Sequence, residues 1–308
     1  MLTLLLPAAE RLGGRSLGAD LALRLGRADR LPAAEAGYLA QLRRQFDVAP
    51  WPPAIAALTR QHDAGDAAHH AWLRADPAYV RIDINAGRML ACGEALELST
   101  DEAQEFARPL KPLFGDAGFP LSAPHPARWY LMLPREARVP AFSSPDDVLG
   151  DDLFEHLPEG PDARRWRSLL SEAQVVLHNH PRNQQRIERG LPPVNSLWFW
   201  GGGLLPDRVG STLAWVRSGD GELLALAAAA GVRIDPVGDA PAGDGLIDLR
   251  RVRDPASFAD DWLRPALAAL DARRLDALAL DLADGTRLRL TRAQRWRLWR
   301  RRPFAFAA

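Results

Sequence analysis

The chain has 308 residues, and its 39 basic and 39 acidic side chains give a formal net charge of zero. The length allows one large domain or two smaller lobes, and the even charge balance excludes a global attraction to nucleic acid or anionic lipid. Cys92 is the single cysteine, which excludes an intrachain disulfide and a cysteine metal cluster, so we expect a cytoplasmic protein.

The N-terminal part of the chain is predicted to begin with a strand and to continue with helices. Leu2–Leu6 form an apolar run that a proline ends, which predicts a buried strand and neither a secretion signal nor a membrane span. Leucines at helical spacings follow up to residue 74. They are interrupted at 49–53, where Pro52 and Pro53 are suited to begin a new helix.

Three further elements are predicted before the middle of the chain. Alternating apolar and polar residues from Pro77 predict a strand pair that turns at 85–87. A serine and a threonine at 99–100 are suitable N-caps for a helix that ends near Gly115. The apolar segment 128–134 is predicted to form another strand.

A proline-rich, acidic segment at 139–161 is predicted to connect two lobes. We place the boundary within it, so that residues 1–150 form an N-terminal α/β lobe and residues 151–308 a C-terminal α/β lobe. In the second lobe, helices are predicted at 162–177, 220–230 and 256–273, and strands at 196–200, 212–217, 245–252, 276–283 and 286–291. This alternation predicts an α/β or α+β fold, with a mixed sheet and helices on its faces.

Candidate ligand-binding side chains follow the helix predicted at 162–177. His180, Asn183 and Arg186 are spaced by three, so they share one face if this piece is helical. Together they offer an imidazole, an amide and a guanidinium fork suited to a carboxylate or phosphate. The alternative is that they satisfy backbone groups in an irregular loop.

A run of glycines ends the strand predicted at 196–200. Asn195 precedes this strand, and Gly201, Gly202 and Gly203 follow it. Glycines at a strand end allow positive φ or the close approach of another group, and ligands of open α/β sheets bind at that end. We therefore predict an anion-accepting pocket here, and the alternative is a tight strand exit beneath packed tryptophans.

These residues carry a family resemblance. The pattern H-P-x-N-x-x-R-x-x-x-G-x-x-P-x-N-S-x-W-x-W-G-x-G, from His180 to Gly203, resembles that of the bacterial RpfE-type regulatory proteins. The resemblance extends to WLRADPAYVRID at 72–83 and to HPARWYLML at 125–133. It covers Asp76, for which we predict a binding or structural role, with a turn before Pro77 as the alternative.

The core of the same pattern is similar to a segment of the archaeal-type cofactor-independent phosphoglycerate mutases. This second resemblance implies the alkaline-phosphatase-like superfamily, whose mutases transfer a phosphoryl group through a serine nucleophile and two divalent metal ions. In that family the metal ligands include an early Asp-Gly and late histidines. Here no Asp-Gly follows the first strand, and His180 is the last histidine.

Two functions follow from these observations. The first is a non-catalytic, cytoplasmic regulatory or binding protein on a phosphoglycerate-mutase-like scaffold, with no metal site and no cofactor. The alternative is a metal-dependent phosphoglycerate mutase or phosphohydrolase whose catalytic residues the sequence does not reveal. The predicted ligand is a small phosphorylated or carboxylated molecule, and neither a membrane nor a nucleic acid is expected as a partner.

Two other groups of residues carry candidate ligands. The densest set of candidate metal ligands is interrupted by a glycine and is therefore predicted to be a polar helix end or loop; it comprises His62, Asp63, Asp66, His69 and His70. His125 and Arg128 complete a cationic pocket with Arg186 if the fold brings them together, and otherwise Arg128 lies at the surface.

The C-terminal segment from Arg292 is predicted to be a basic aromatic helix. Trp296 and Trp299 fall on one stripe of that helix, with arginines around them. We predict that the stripe packs on the body of the protein. The alternative is that the helix binds a partner, which could be an acidic protein, a nucleic acid or an anionic lipid.

Overall fold

A computed structural model describes residues 1–12, 17–82, 87–235, 244–300 and 302–306. Contacts within the chain divide it into two compact units. The first unit consists of Met1–Pro52 and Arg208–Ala308, and the second unit of Pro53–Asp207. The predicted lobes, 1–150 and 151–308, do not coincide with these units, because the strand at Leu2–Leu6 pairs with strands near the end of the chain.

The first unit contains most of the parallel strands. Its strands are β1 (Leu2–Leu6), β2 (Asp29–Arg30), β3 (Asp47–Ala49), β9 (Arg208–Gly210), β10 (Trp215–Arg217), β11 (Arg233–Ile234), β12 (Gly245–Asp248), β13 (Ala277–Leu282) and β14 (Arg287–Thr291). Its helices are α1 (Ala19–Gly26), α2 (Tyr38–Arg43), α9 (Gly221–Ala229), α10 (Pro255–Ser257) and α11 (Arg264–Asp271), with a π-helical turn at Phe258–Leu263 and 3-10 turns at Ala9–Leu12 and Arg292–Trp296.

A seven-stranded mixed sheet organises this unit, in the order β11-β10-β12-β1-β13-β14-β2. The five strands from β11 to β13 are parallel, and β14 and β2 are antiparallel to their neighbours. Leucines on one face of β1 and β13 pack against α1 and α11 in a single core. The sheet is therefore buried on this face, as parallel sheets require.

The second unit is built on antiparallel strands. Its strands are β4 (Ala71–Ile82), β5 (Gly87–Cys92), β6 (Leu121–His125), β7 (Arg128–Leu133) and β8 (Ser196–Gly203). Its helices are α3 (Ile55–Ala64), α4 (Thr100–Ala107), α5 (Leu110–Asp116), α6 (Pro145–Val148), α7 (Ala163–His178) and α8 (Arg182–Glu188), with 3-10 turns at Ala67–His69, Gly93–Leu96 and Leu153–His156.

Strand β4 is the central strand of the second unit. One edge pairs with β8, and the other edge pairs first with β7 and then with β5. Aromatic side chains fill the core beside this sheet, with Trp166 stacked on Phe119 and packed edge-on against Phe199. The mixed α/β class predicted from the sequence is confirmed in both units.

Most predicted elements are present. The strand at Leu2–Leu6, the helix after Pro53 and helix α7 are confirmed. The predicted hairpin is confirmed as the antiparallel pair β4 and β5, while residues 85 and 86 of its turn lie outside the described residues.

The helix predicted to end near Gly115 is instead two helices. It begins as predicted, because Ser99 accepts a hydrogen bond from the Glu102 amide and Glu102 accepts one from the Ser99 amide, which is a capping box. It breaks at Pro109, which precedes α5 and has no amide hydrogen to continue the helical hydrogen bonds.

The predicted C-terminal α-helix is wrong, and so is the packing of its tryptophans. Only a 3-10 turn forms at Arg292–Trp296, and the Trp296 and Trp299 side chains are largely exposed. Arg300 donates to the Ala28 carbonyl and holds the segment in an irregular path. Phe304 occupies the core instead. Among the described residues, no helix is long and apolar enough to cross a membrane.

Candidate functional site

The segment predicted to bind a ligand is held by hydrogen bonds within the second unit. Helix α8 begins at Arg182, so His180 lies just before it. The Asn183 amide donates to the Leu177 and Val194 carbonyls at 2.8 and 2.9 Å and accepts from the Val194 amide at 2.8 Å. Asn183 therefore ties the end of α7 to the chain that enters β8.

Arg186 is fully buried at the centre of this segment. Its Nε donates to the Pro192 carbonyl at 2.9 Å, and one Nη donates to the Leu96 carbonyl. Its other Nη lies 3.2 Å from the Glu102 carboxylate. Burial by itself raises the pKa of Glu102, but the Ser99 amide and the Arg186 charge outweigh it and lower that pKa below its usual value.

His180 and Asn195 have different surroundings. His180 packs on Phe106, with ring centroids 4.5 Å apart, and lines an open depression of about 580 Å³ together with Glu105 and Arg108. Burial lowers the pKa of its imidazole. The Asn195 side chain pairs with both backbone groups of Val80 at 2.8 and 2.9 Å, and so extends the β4–β8 ladder.

The three glycines lie inside β8, and Gly201 and Gly203 face the start of helix α3. Gly201 has φ 67°, and an added Cβ there would lie 3.2 Å from the Ile55 Cβ. At Gly203, an added Cβ would lie 2.9 Å from the Ala54 Cβ. Glycines are therefore required for the start of α3 to lie this close to β8. The sequence predicted that another group approaches these glycines closely, and in the structure that group is the start of helix α3.

Asp76 is buried beside the same strand pair. Both of its carboxylate oxygens accept from Arg74 at 2.7 Å, and one also accepts from the Trp200 indole at 2.7 Å. Burial raises the pKa of Asp76, and the attraction of Arg74 opposes that shift. The structure thus places Asp76 beside Trp198 and Trp200 of β8. Its role in binding a ligand stays a prediction, as it does for His180, Asn183, Arg186, Asn195 and Gly201 to Gly203.

Arginines organise the histidine-rich group at the C-terminal end of α3 and just after it. Arg60 makes a bidentate pair with Asp66 at 2.5 and 2.6 Å, and Arg128 makes one with Asp63 at 2.7 and 2.8 Å. Arg128 is buried against Asp63, so its predicted alternative position at the surface is wrong. The cationic pocket of His125 and Arg128 with Arg186 remains a prediction. Within the described ranges, no three His, Cys, Asp or Glu side chains are grouped so as to hold a metal ion.

A polar cluster that we did not predict lies at the carboxyl ends of strands β10 and β12. Arg250 makes a bidentate pair with Asp248 at 2.7 Å, and Ser218 donates to the same carboxylate at 2.7 Å. Asp220 accepts from the Tyr38 hydroxyl at 3.0 Å and lies 3.4 Å from Arg250. The signal was in the sequence, since Ser218 and Asp220 follow β10, and Asp248 ends β12 two residues before Arg250.

Electrostatics distinguish the two carboxylates of this cluster. Burial raises the pKa of Asp220 to about 7, and the negative charge of Glu222 contributes to the shift. Burial by itself also raises the pKa of Asp248, but the hydrogen bonds from Arg250 outweigh this effect, so that the pKa of Asp248 is lowered. The cluster therefore contains one ionised carboxylate held by a guanidinium and one carboxyl group that can keep a proton near neutrality.

The resemblance to the mutases implies two divalent metal ions, and the described strand-end residues do not fit them. All seven histidines and the single cysteine lie in the second unit, so the first unit supplies only oxygen ligands. Its carboxylates Asp248, Asp281 and Asp235 already accept hydrogen bonds from Arg250, Arg44 and Arg217. A metal ion would have to displace a guanidinium from each of them.

Comparison with known proteins gives partial matches. No family model matches the chain. It is 45% identical over 62 residues to the probable 2,3-bisphosphoglycerate-independent phosphoglycerate mutase of Geobacter sulfurreducens, across 20% of this chain and 16% of that protein. It is 28% identical over 194 residues to the 2,3-bisphosphoglycerate-independent phosphoglycerate mutase of Methanothrix thermoacetophila, across 61% of this chain and 45% of that protein.

Two solved structures are also similar. The cofactor-independent phosphoglycerate mutase from Thermoplasma acidophilum aligns with a TM-score of 0.41 and 16% identity, over 94% of this chain and 89% of that one. The PH0037 protein from Pyrococcus horikoshii aligns with a TM-score of 0.48 and 10% identity, over 94% and 86%. The chain spans less than half the length of the curated relatives named above, and through those segments it is homologous to the 2,3-bisphosphoglycerate-independent phosphoglycerate mutases.

Proposed function

We propose that this chain is a non-catalytic regulatory or binding protein on a scaffold related to the phosphoglycerate mutases, as its resemblance to the RpfE-type proteins implies. The observation that carries the proposal is the pairing of strand-end carboxylates with arginines, as in the bidentate Asp248–Arg250 pair. A guanidinium neutralises the carboxylate and occupies its lone pairs, which a divalent ion would need. A cytoplasmic setting agrees with the single cysteine.

The second candidate is a metal-dependent phosphoglycerate mutase or phosphohydrolase. The homology to the Geobacter and Methanothrix enzymes is the observation that favours it. Under this alternative the carboxylates would release their arginines when a metal ion binds. The two functions therefore differ in whether Asp248 binds a metal ion.

Turnover and metal binding distinguish them. The full chain, stripped of metal, is assayed with phosphoglycerate and with an aryl phosphate after addition of manganese, zinc or magnesium. We expect no turnover and no saturable manganese binding by calorimetry. Metal-dependent turnover that Asp248→Asn abolishes, and that the exposed carboxylate variant Asp276→Asn retains, would establish the enzyme instead.

We further propose that an acidic protein partner binds the C-terminal segment. Trp296, Leu298 and Trp299 are 65%, 60% and 75% exposed, and the Arg295 guanidinium lies 4.8 Å from the Trp296 ring centroid. Exposed aromatic side chains beside guanidinium groups are typical of protein interfaces. Titration with an acidic peptide at low ionic strength should quench the tryptophan fluorescence saturably, and an unchanged spectrum would contradict this surface.

A further inference from the structure

A cavity of about 220 Å³ lies in the first unit, on the face of the sheet opposite the leucine core. The register of three neighbouring strands explains why it is open. Thr3 on β1 is beside Ala279 on β13, and Ala279 is beside Arg289 on β14. These side chains share one face, because pleated strands direct paired residues to the same side. Two small residues therefore form the floor, and Arg289 lines the cavity beside them.

The next row across the same strands is charged. Asp281 on β13 is paired in register with Arg287 on β14, and both line the cavity. Asp281 is only 4% exposed, although it lies in a strand whose other face, with Leu278 and Leu280, is core. A buried aspartate and an alanine on a central strand are unusual for a face that only packs. The row is consistent with an enclosed polar site.

The charges that line this cavity do not balance locally. The Asp281 carboxylate is occupied by Arg44, which donates to its two oxygens at 2.6 and 2.8 Å. Asp244 also lines the cavity and accepts from the Met1 amine at 2.5 Å. Both acidic groups lining the site therefore already have a cationic partner.

Two other cations lack such a partner. Arg287 donates to the Pro32 carbonyl at 3.1 Å, and its buried Nε has no hydrogen-bond partner in the described part of the chain. Arg289 is exposed, and no carboxylate lies within ion-pair distance of it among the residues that the structure describes. The buried Arg287 Nε without a partner costs free energy, which an anionic ligand would recover.

We propose that this cavity binds a small oxyanion, a phosphate group or a short carboxylic acid, between Arg287 and Arg289. Guanidinium forks match the geometry of both groups, and Thr3 and Thr212 line the same space. The volume is below that of drug-sized pockets, of roughly 300 Å³ and above, which favours a ligand smaller than a nucleotide. This proposal rests on the binding role proposed above and gives it a location in the first unit.

Calorimetric titration of the full chain tests the site at low ionic strength, where screening is weak. Inorganic phosphate is the first probe, and malonate in a parallel titration identifies a preference for carboxylates. We expect saturable binding that Arg287→Gln and Arg289→Gln each weaken about tenfold or more, the loss typical of one charge-assisted contact. Arg274→Gln removes an exposed charge from the same unit and should change nothing.

A third variant tests the location without changing the charge. Ala279→Leu places a larger side chain on the floor of the cavity and should abolish binding while circular dichroism shows a folded protein. The proposal is overturned if wild-type protein binds neither probe saturably, if Arg274→Gln loses as much affinity as Arg289→Gln, or if folded Ala279→Leu binds like wild type. None of these results depends on metal-dependent turnover or manganese binding, which decide between the two proposed functions.

Discussion

Arg186 carries its charge in the interior of the second unit, where two carbonyls and the Glu102 carboxylate surround it. Arg186→Ala would remove the nearest cation from the buried Glu102 carboxylate and leave two carbonyls without donors. We expect it to lower the free energy of unfolding by about 3 to 5 kcal/mol, the cost of breaking a buried ion pair from one side. Urea denaturation followed by circular dichroism measures this loss.

Arg189 is the matched control for that experiment. Its side chain is 64% exposed and lies 3.8 Å from the same Glu102 carboxylate. An exposed ion pair contributes about 1 kcal/mol or less, so Arg189→Ala should be nearly neutral. If both variants lowered the free energy of unfolding equally, the burial of Arg186 would not add to its contribution, and the prediction would be wrong.

The raised pKa of Asp220 leads us to expect that the stability of the protein depends on pH. Its pKa is raised to about 7 by burial and by Glu222, so the folded chain binds more protons than the unfolded chain between about pH 4 and pH 7. The free energy of unfolding therefore decreases as the pH rises through that window. Asp220→Asn removes the titration and keeps the oxygen that accepts from the Leu223 amide.

The measurement is urea denaturation of both proteins at several pH values. Between about pH 4 and pH 7 the wild type should lose about 2 to 4 kcal/mol relative to Asp220→Asn, with most of the change below pH 7. Parallel curves for the two proteins would show that Asp220 titrates with an ordinary pKa.

At the scale of elements, the spacing of apolar residues predicted the helices and strands whose sequences follow one simple period or one short apolar run. Helix α7 and strand β1 were found because their apolar residues recur at helical spacing or form one short run. Strand β4 was expected from Pro77 but begins at Ala71, because Arg74 and Asp76 form a buried pair and disguise the apolar run. The cluster at Asp248 was missed because it depends on pairing between strands that are distant in sequence.

The contact between helix α3 and the glycines of strand β8 can be tested by its effect on stability. Gly201→Ala adds a Cβ at φ 67° and 3.2 Å from Ile55, so we expect a loss of about 1 to 3 kcal/mol in the free energy of unfolding. Gly115→Ala is the control, because this helical glycine faces open space and should gain about 0.5 to 1 kcal/mol. Differential scanning calorimetry compares the two variants, and a neutral Gly201→Ala would contradict the contact.

At the scale of the whole molecule, the second unit is an insertion into the first. The chain leaves the first unit after β3 and returns at β9, and these two strands pair with each other. Within the second unit, Ala54 and Gly203 lie together near its two ends. Each unit also has its own hydrophobic core. An insertion with adjacent ends and its own core has what a domain needs to fold independently.

We therefore expect a fragment of residues 53–207 to fold by itself. It keeps β4 with its three partner strands and should unfold in one cooperative urea transition, with the near-ultraviolet dichroism of packed tryptophans. A fragment of residues 151–308 is the control, because it separates β8 from β4 and both β12 and β13 from β1. It should show no cooperative transition. If the second fragment folds and the first does not, the boundary lies near residue 150, and the insertion is not an independent unit.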